Sequence, residues 1–208
     1  MGRLALQHCR IAMLVASLWL TGCTAVTAVA VIPVTLLEAV ADQFIGEEES
    51  FAASMETTLA AIQLSLRSME LDVDILEILQ DGEYTIGFGN AKLDGLILLK
   101  KQTEHLTTIN IKVRDTMRQE SVERAIVETI RAKMKTMPSD NRFQKDGYRS
   151  LRKKPTIESA RLGWFRPGSR LEALKSKTPG WLKIKLPSGE TAYLKGSLKG
   201  EIIQKAKR

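Results

Sequence analysis

The side chains that could do covalent or metal chemistry are few, since the chain has two cysteines (Cys9 and Cys23) and two histidines (His8 and His105). A thiol can act as a nucleophile, carry a lipid or hold zinc, and a histidine can act as a base or a metal ligand. Acidic residues are numerous enough for carboxylate chemistry, but no group of them has the spacing of a metal site. The chemistry open to the chain therefore depends on which cysteines and histidines the working protein keeps.

The first 22 residues have the pattern of an export signal. Arg3 and Arg10 give a basic start, and an apolar run from Ile11 to Leu20 follows. At ~1.5 Å per residue this run makes a helix of roughly 15 Å, about half of a ~30 Å bilayer core, which is too short for a membrane span. A basic start, a short apolar core and small residues at Thr21 and Gly22 are typical of an export signal with a cleavage site.

The run Leu20-Thr21-Gly22-Cys23 resembles the lipobox of bacterial lipoproteins. The resemblance implies that the signal, residues 1–22, is removed and that the Cys23 thiol is the lipid attachment site. Cys9 leaves with the signal, so the mature chain has no free thiol, and His105 is its one histidine. We therefore expect a non-enzymatic protein with no catalytic residue, metal site, cofactor or small-molecule substrate. The alternative is an ordinary signal peptide with an incidental cysteine.

Residues 23–49 are predicted to be a lipidated anchor and connector. The part at 24–41 is apolar, with Pro33 and Glu38 inside it, and residues 42–49 are acidic. The apolar part is either a lipid-proximal anchor or a helix that packs under the first domain. A transmembrane span is the weaker alternative, because a proline and an acid interrupt a run that is only just long enough.

Charge divides the rest of the chain at Pro138. Residues 42–137 hold 17 acidic and 11 basic residues, a net charge of −6, whereas residues 138–208 hold 18 basic and 6 acidic residues, a net charge of +12. A reversal of this size indicates two modules, and the polar residues 138–146 are predicted to be the linker between them. In an exported protein, the anionic partners of the basic module are membrane headgroups, wall carboxylates and acidic proteins rather than nucleic acid.

Residues 50–137 are predicted to form an α+β sandwich, two helices on a four-strand antiparallel sheet. Apolar residues at helical spacing predict a first helix that Ser54 could cap; these are Met55, Leu59, Ile62, Leu66 and Met69. Alternating residues then predict strands at about 71–80, 83–92, 96–103 and 106–114, with hairpin turns at Asp81-Gly82 and Asp94-Gly95.

A second helical stripe, which Pro138 ends, completes this module; it consists of Val122, Ile126, Ile130 and Met134. The order of these elements, with the run at 107–114, resembles a family of short bacterial lipoproteins that is catalogued as a domain of unknown function. The resemblance covers about residues 50–137 and implies no activity. His105, between two predicted strands, is interpreted as a turn residue.

Residues 147–203 contain short strands separated by glycine and proline, which predicts a small all-β barrel. They resemble the bacterial SH3 domain, a five-strand barrel. The resemblance is carried by Leu151-Arg152 with Pro155, Phe165 to Gly168, Gly180-Trp181, Ser188-Gly189 and Tyr193-Leu194. The chain departs from the family pattern at two places: Lys154 stands where the family usually has glycine, and Ala192-Tyr193 replaces the usual glycine–tryptophan pair.

The resemblance implies a binding module for wall peptides or protein segments. Trp181, Tyr193 and Trp164 could offer flat apolar surfaces, and Arg152 with its basic neighbours could attract carboxylates; one of the tryptophans could instead be core. We expect an envelope lipoprotein, held to the membrane by its lipid, whose SH3-like domain binds peptidoglycan or a protein. The alternative is an accessory subunit of an envelope assembly that uses the α+β domain. Thr24 after the cysteine resembles the outer-membrane sorting pattern of Gram-negative hosts.

Overall fold

The computed structural model describes residues 46–79, 82–138, 140–169 and 173–197. The described strands and helices, in chain order, are β1 (Glu47–Phe51), α1 (Met55–Ser68), β2 (Asp72–Ile78), β3 (Tyr84–Gly89), β4 (Asp94–Thr103), β5 (Leu106–Arg114), α2 (Glu120–Thr136), β6 (Arg149–Arg152), β7 (Arg161–Phe165), β8 (Ala173–Lys175), β9 (Trp181–Lys185) and β10 (Thr191–Lys195). The predicted signal, Cys23 and the apolar anchor lie outside these ranges. Neither described helix has the length and apolar character that crossing a membrane requires.

The first helix begins, and the second helix ends, where the sequence predicts. The Ser54 side chain accepts a hydrogen bond from the Thr57 N–H at 3.3 Å and so caps α1. The second helix ends at Thr136, before Pro138, with Lys133 and Lys135 in its last turn, where cations interact favourably with the helix dipole. The apolar stripes of both helices pack with one face of the sheet into a first core, which includes Leu59, Ile62, Leu66, Ile97, Ile111, Ile126 and Ile130.

The predicted sandwich of a four-strand sheet followed by a closed barrel is wrong. The described strands form one open antiparallel sheet of ten strands in the order β1-β5-β4-β3-β2-β7-β6-β10-β9-β8. Strand β7 pairs with β6 on one side and with β2 on the other. Since both edges of β7 are occupied, it cannot close a barrel onto β8, which pairs with β9 alone among the described residues.

The first edge strand was missed because its sequence lacks a strand pattern. Residues Glu47–Phe51 are Glu-Glu-Glu-Ser-Phe, which indicates an exposed connector rather than a half-buried strand. All five residues nevertheless pair with β5, from Glu47 opposite Ile111 to Phe51 opposite Thr107. Glu49 also receives a hydrogen bond from Arg131 of α2 at 2.7 Å. Pairing and an ion pair therefore stabilise a strand with low intrinsic propensity.

Strand β2, which pairs with β3 on one side and β7 on the other, joins the two halves of the sheet and contains a bulge. The register shifts between Val73 and Ile75, so these two residues face opposite sides of the sheet instead of the same side. Val73 stays in the first core, whereas Ile75 enters a second core. The other members of the second core come from the SH3-like segment: Leu151, Phe165, Leu182, Ile184, Leu186, Ala192 and Leu194.

Polar contacts reinforce this junction. The Ser188 N–H and hydroxyl both donate to the Glu77 carboxylate, which is 2% exposed, and burial raises the pKa of that carboxyl above 4.5. Arg166 Nη2 donates to Asp74 at 2.7 Å, and desolvation still raises the pKa of Asp74. These contacts bind the last described hairpin and the end of β7 to β2.

The predicted linker also packs against the first module. Phe143 is 8% exposed and belongs to the first core. The Gln144 N–H donates to Gln63 Oε1 at 2.7 Å, and Gln63 Nε2 donates back to the Gln144 carbonyl at 2.9 Å. The linker at 138–146 therefore contacts the first module, and the domain boundary there stays a prediction.

Candidate ligand-binding face

Alternation along β9 and β10 creates an outward face with a distinctive composition. Leu182, Ile184, Ala192 and Leu194 point into the second core. Side chains alternate between the two faces of a strand, so the intervening residues point outward. These are Trp181, Lys183, Lys185, Thr191, Tyr193 and Lys195, and they are called the outer face below.

Strand pairing places the outer-face residues side by side. Trp181 lies opposite Lys195, and Tyr193 lies opposite Lys183. On its other side, Tyr193 lies opposite Arg152 of β6. Residues directly opposite on neighbouring strands have Cβ atoms about 4.5–5.5 Å apart, so each ring has a cation beside it.

A cleft of about 370 Å³ lies at the β6 end of the outer face. Its lining residues are Arg149, Ser150, Arg152, Ile157, Trp181, Leu194 and Lys195. Three of the seven lining residues are cationic, and Ile157 is 57% exposed. A cleft that joins an indole, an exposed aliphatic group and three cations suits a ligand with both apolar and anionic parts.

The loop that carries Ile157 is held by hydrogen bonds within the loop and by one from Arg152 of β6. The Lys153 N–H donates to the Ala160 carbonyl at 2.9 Å, and the Lys154 N–H donates to Ser159 Oγ at 2.8 Å. Arg152 Nη1 donates to the Ser159 carbonyl at 2.9 Å, which orients the guanidinium at the cleft. One wall of the cleft is therefore held in place before any ligand arrives.

One carboxylate, Glu158, lies near the cations of the cleft. The hydroxyl of Thr156, the Glu158 backbone N–H and the charges of Arg152 and Lys195 hold the pKa of Glu158 below 4.5. The negative charge of this glutamate therefore opposes the approach of an anion to the same two cations. Because Glu158 is fully exposed, water screens this competition and a ligand can displace it.

The structure brings three of the four predicted ligand-binding residues together. Trp181 and Arg152 line the cleft, and Tyr193 lies on the same outer face beside Arg152. Trp164 lies elsewhere: it packs partly against the first core, with Lys145 Nζ 4.4 Å from its ring centroid and Arg161 5.3 Å away.

Five of the seven cleft residues were not predicted as ligand-binding from the sequence: Arg149, Ser150, Ile157, Leu194 and Lys195. Ile157 lies in the loop between β6 and β7, where no simple period describes side-chain directions, and Arg149 is the first residue of the short strand β6. Lys195 shares the face of Tyr193 because β10 extends one residue beyond the predicted strand, which ended at Leu194. Among the described residues, no group of three or more histidine, cysteine, aspartate or glutamate side chains could hold a metal ion.

Residues 150–199 match the bacterial SH3 domain family. The match confirms the predicted SH3-like segment at the C-terminal end, although its described strands join an open sheet. No curated protein and no solved structure matches the chain. A bacterial SH3 domain suggests a binding role, with peptidoglycan or a protein as its partner.

Proposed function

We propose that the chain is a non-enzymatic envelope lipoprotein whose outer face binds the carboxylates of peptidoglycan stem peptides. The cleft carries this proposal, because Arg149, Arg152 and Lys195 surround an indole at Trp181 and an exposed Ile157. Guanidinium groups form paired hydrogen bonds with carboxylates, and the indole offers a flat apolar surface to the methyl groups of alanine-rich peptides.

Tethering to a membrane is the second part of the proposal and rests on the sequence of residues 20–23. A lipid at Cys23 would hold the protein near the wall and raise the local concentration of its binding face. A Cys23→Ala variant should accumulate as a slower-migrating precursor without incorporated palmitate. Cys9→Ala is the matched control and should be processed normally. Normal processing and labelling of Cys23→Ala would exclude the lipid anchor.

A protein partner is the second candidate for the same face. Leu174 of β8 lies opposite Lys183 and is 63% exposed, so a large apolar side chain extends the outer face beyond the cleft. Exposed aliphatic groups beside aromatic rings are typical of protein interfaces. A partner of this kind would be acidic at its rim and apolar at its centre.

Sedimentation with purified sacculi distinguishes the two candidates. The full chain in detergent should pellet with sacculi at low salt, and the pelleted fraction should fall as salt shortens the screening length from ~10 Å at 0.1 M to ~3 Å at 1 M. Arg152→Gln should weaken pelleting, whereas Arg124→Gln, the same charge change on an exposed site of α2, should not. No pelleting at any salt concentration would exclude wall binding and leave the protein partner.

A further inference from the structure

The outward surface of the SH3-like segment continues from the outer face across β6 to β7. Lys183 of β9 lies opposite Tyr193 of β10. Tyr193 in turn lies opposite Arg152 of β6, and Arg152 lies opposite Arg161 of β7. These four side chains, called the cross-strand row below, therefore cross four adjacent strands and comprise three cations and one ring.

The cross-strand row contains a pair of like charges side by side. Arg152 and Arg161 lie directly opposite each other on neighbouring strands, where like charges destabilise a sheet. Neither guanidinium forms an ion pair with a described carboxylate. Glu158, in the loop between them, instead accepts a hydrogen bond from the Thr156 hydroxyl. A carboxylate from outside the chain that binds between the two arginines would relieve their repulsion.

Contact with Trp164 holds Arg161 in this position. The Arg161 Cζ atom lies 5.3 Å from the centroid of the Trp164 ring, within the range of a cation–π contact. Trp164 packs partly against the first core, so the guanidinium rests on a ring that is itself held in place. Arg161 is nevertheless exposed, and its guanidinium has no hydrogen-bond partner among the described residues. It can therefore bind a ligand without losing an existing hydrogen bond.

The two ends of the cross-strand row set the spacing between the charges of a ligand. Lys183 and Arg161 are both exposed, and neither forms an ion pair within the described part of the chain. Three steps between neighbouring strands separate them, and at ~4.8 Å per step their backbones lie roughly 14 Å apart along the sheet. An extended peptide spans ~3.3–3.6 Å per residue, so about four residues cover this distance.

We propose that the cross-strand row binds an extended peptide that lies across the strands and carries two carboxylates about four residues apart. One carboxylate pairs with Lys183, and the other binds between Arg152 and Arg161. The peptide passes over the Tyr193 ring in the middle of the row. This inference rests on the proposed wall binding and adds a length and a direction to the ligand, since a dipeptide reaches only one end of the row.

The dissociation constants of three probes test the proposal, measured for the full chain in detergent by ligand-observed NMR at low salt. Acetyl-glutamyl-alanine and acetyl-glutamyl-tetra-alanine carry the same two charges, but only the longer peptide has them four residues apart. The longer peptide should bind about three- to fivefold more tightly, because it can form one more exposed ion pair. The C-terminal amide of the longer peptide lacks one carboxylate and should lose this advantage, although it keeps every alanine.

Variants locate the site through the ratio of the two peptide affinities. The advantage of the longer peptide should disappear in Arg161→Gln and in Lys183→Gln, which remove opposite ends of the row. It should persist in Arg124→Gln, the same charge change at an exposed site of α2. Circular dichroism checks that each variant keeps the fold.

The proposal is overturned if the longer peptide does not bind, if the three probes bind equally, or if the ratio is unchanged in Arg161→Gln. If the chain still pelleted with sacculi in any of these cases, wall binding would stand and only the cross-strand placement of the ligand would fall. Length-dependent binding without pelleting would support the cross-strand row and exclude the wall as the source of its peptide.

Discussion

Gly163 lies where β7 comes closest to β2, and replacing it with alanine tests how the SH3-like segment is held. A Cβ atom at this position would lie 2.2 Å from the Leu76 carbonyl oxygen and 3.0 Å from the Glu77 Cα. Both atoms belong to the backbone, so no side chain can rotate away to make room. The strand must therefore move outward by about 1 Å to restore a normal contact distance.

That movement strains or breaks the ladder in which Gly163 lies opposite Glu77, Trp164 opposite Leu76 and Phe165 opposite Ile75. Inserting one methyl group into a tight site costs ~1–3 kcal/mol, and each weakened hydrogen bond adds ~0.5–1.5 kcal/mol. We expect Gly163→Ala to lower the free energy of unfolding by about 2–4 kcal/mol. For a chain of this length each kcal/mol corresponds to ~2–4 °C, so the melting temperature should fall by about 4–16 °C.

Thermal unfolding followed by circular dichroism measures this loss. Gly196→Ala is the matched control, because its Cβ would meet only side-chain atoms of Arg149 and Leu182, at 3.8 and 4.0 Å. The control should change the melting temperature by no more than about 2 °C, as surface substitutions outside special sites do. Equal melting temperatures for the two variants would refute the close approach of β7 to β2.

Two further stability predictions concern buried carboxylates. Glu123 is fully buried and accepts hydrogen bonds from the Val113 N–H at 2.9 Å and from Arg118 at 2.7 Å. Breaking a buried ion pair costs ~3–5 kcal/mol, and the cost is smaller here because Arg118 is partly exposed. Glu123→Ala should therefore lower the free energy of unfolding, measured in urea, by about 2–4 kcal/mol. The exposed Glu128→Ala should cost at most ~1 kcal/mol, and equal losses would contradict the account. Because burial raises the pKa of Glu77 above 4.5, the folded state binds more protons, and this residue's contribution to stability should fall as pH rises from 4.5 through its folded-state pKa. Glu77→Gln should remove this fall in stability with pH. If the free energy of unfolding of wild type and variant changed with pH in parallel, Glu77 would not titrate as described.

The sequence predicted the elements of this fold better than their assembly. Helical stripes and period-two alternation depend on neighbouring residues, so both helices and strands β2–β5 could be located without tertiary information. The position of Ile75 in the second core depends on a bulge at Val73–Ile75, which reverses one side chain in an otherwise regular alternation. No local sequence pattern marks such a reversed side chain. The sequence therefore predicts a separate closed barrel rather than one sheet that continues from β2 to β7.

The turn before β4 shows the same limit at a smaller scale. Asp94-Gly95 was predicted as a hairpin turn, yet these residues are the first two of β4. The Asn90 side chain makes the turn instead, by accepting hydrogen bonds from the Lys92 and Leu93 N–H groups. Gly95 is needed because a Cβ there would lie 2.2 Å from the Phe88 ring, a contact between strands that the sequence does not display.

Part of the candidate site could be predicted from the sequence, namely the residues that lie in regular strands. Trp181, Tyr193 and Arg152 belong to regular strands, so their shared face follows from alternation and pairing. Trp164 is also in a strand, but its neighbours are set by the junction with the first module. Ile157 comes from a loop whose position depends on hydrogen bonds to Ser159 and Ala160 rather than on any period.

The charges at the outer-face cleft give the most direct test of the proposed function, because neutralising Arg152 and neutralising Glu158 should change affinity in opposite directions. The measurement is the dissociation constant of a soluble wall stem peptide for the full chain, by titration calorimetry at low salt. Arg152→Gln removes a partly exposed cation and should weaken binding by about three- to tenfold, as ~1 kcal/mol of charge pairing with the ligand is lost. Glu158→Gln removes the competing carboxylate and should strengthen binding by about two- to fivefold. Weaker binding by Glu158→Gln, or unchanged binding by both variants, would contradict an anionic ligand in this cleft.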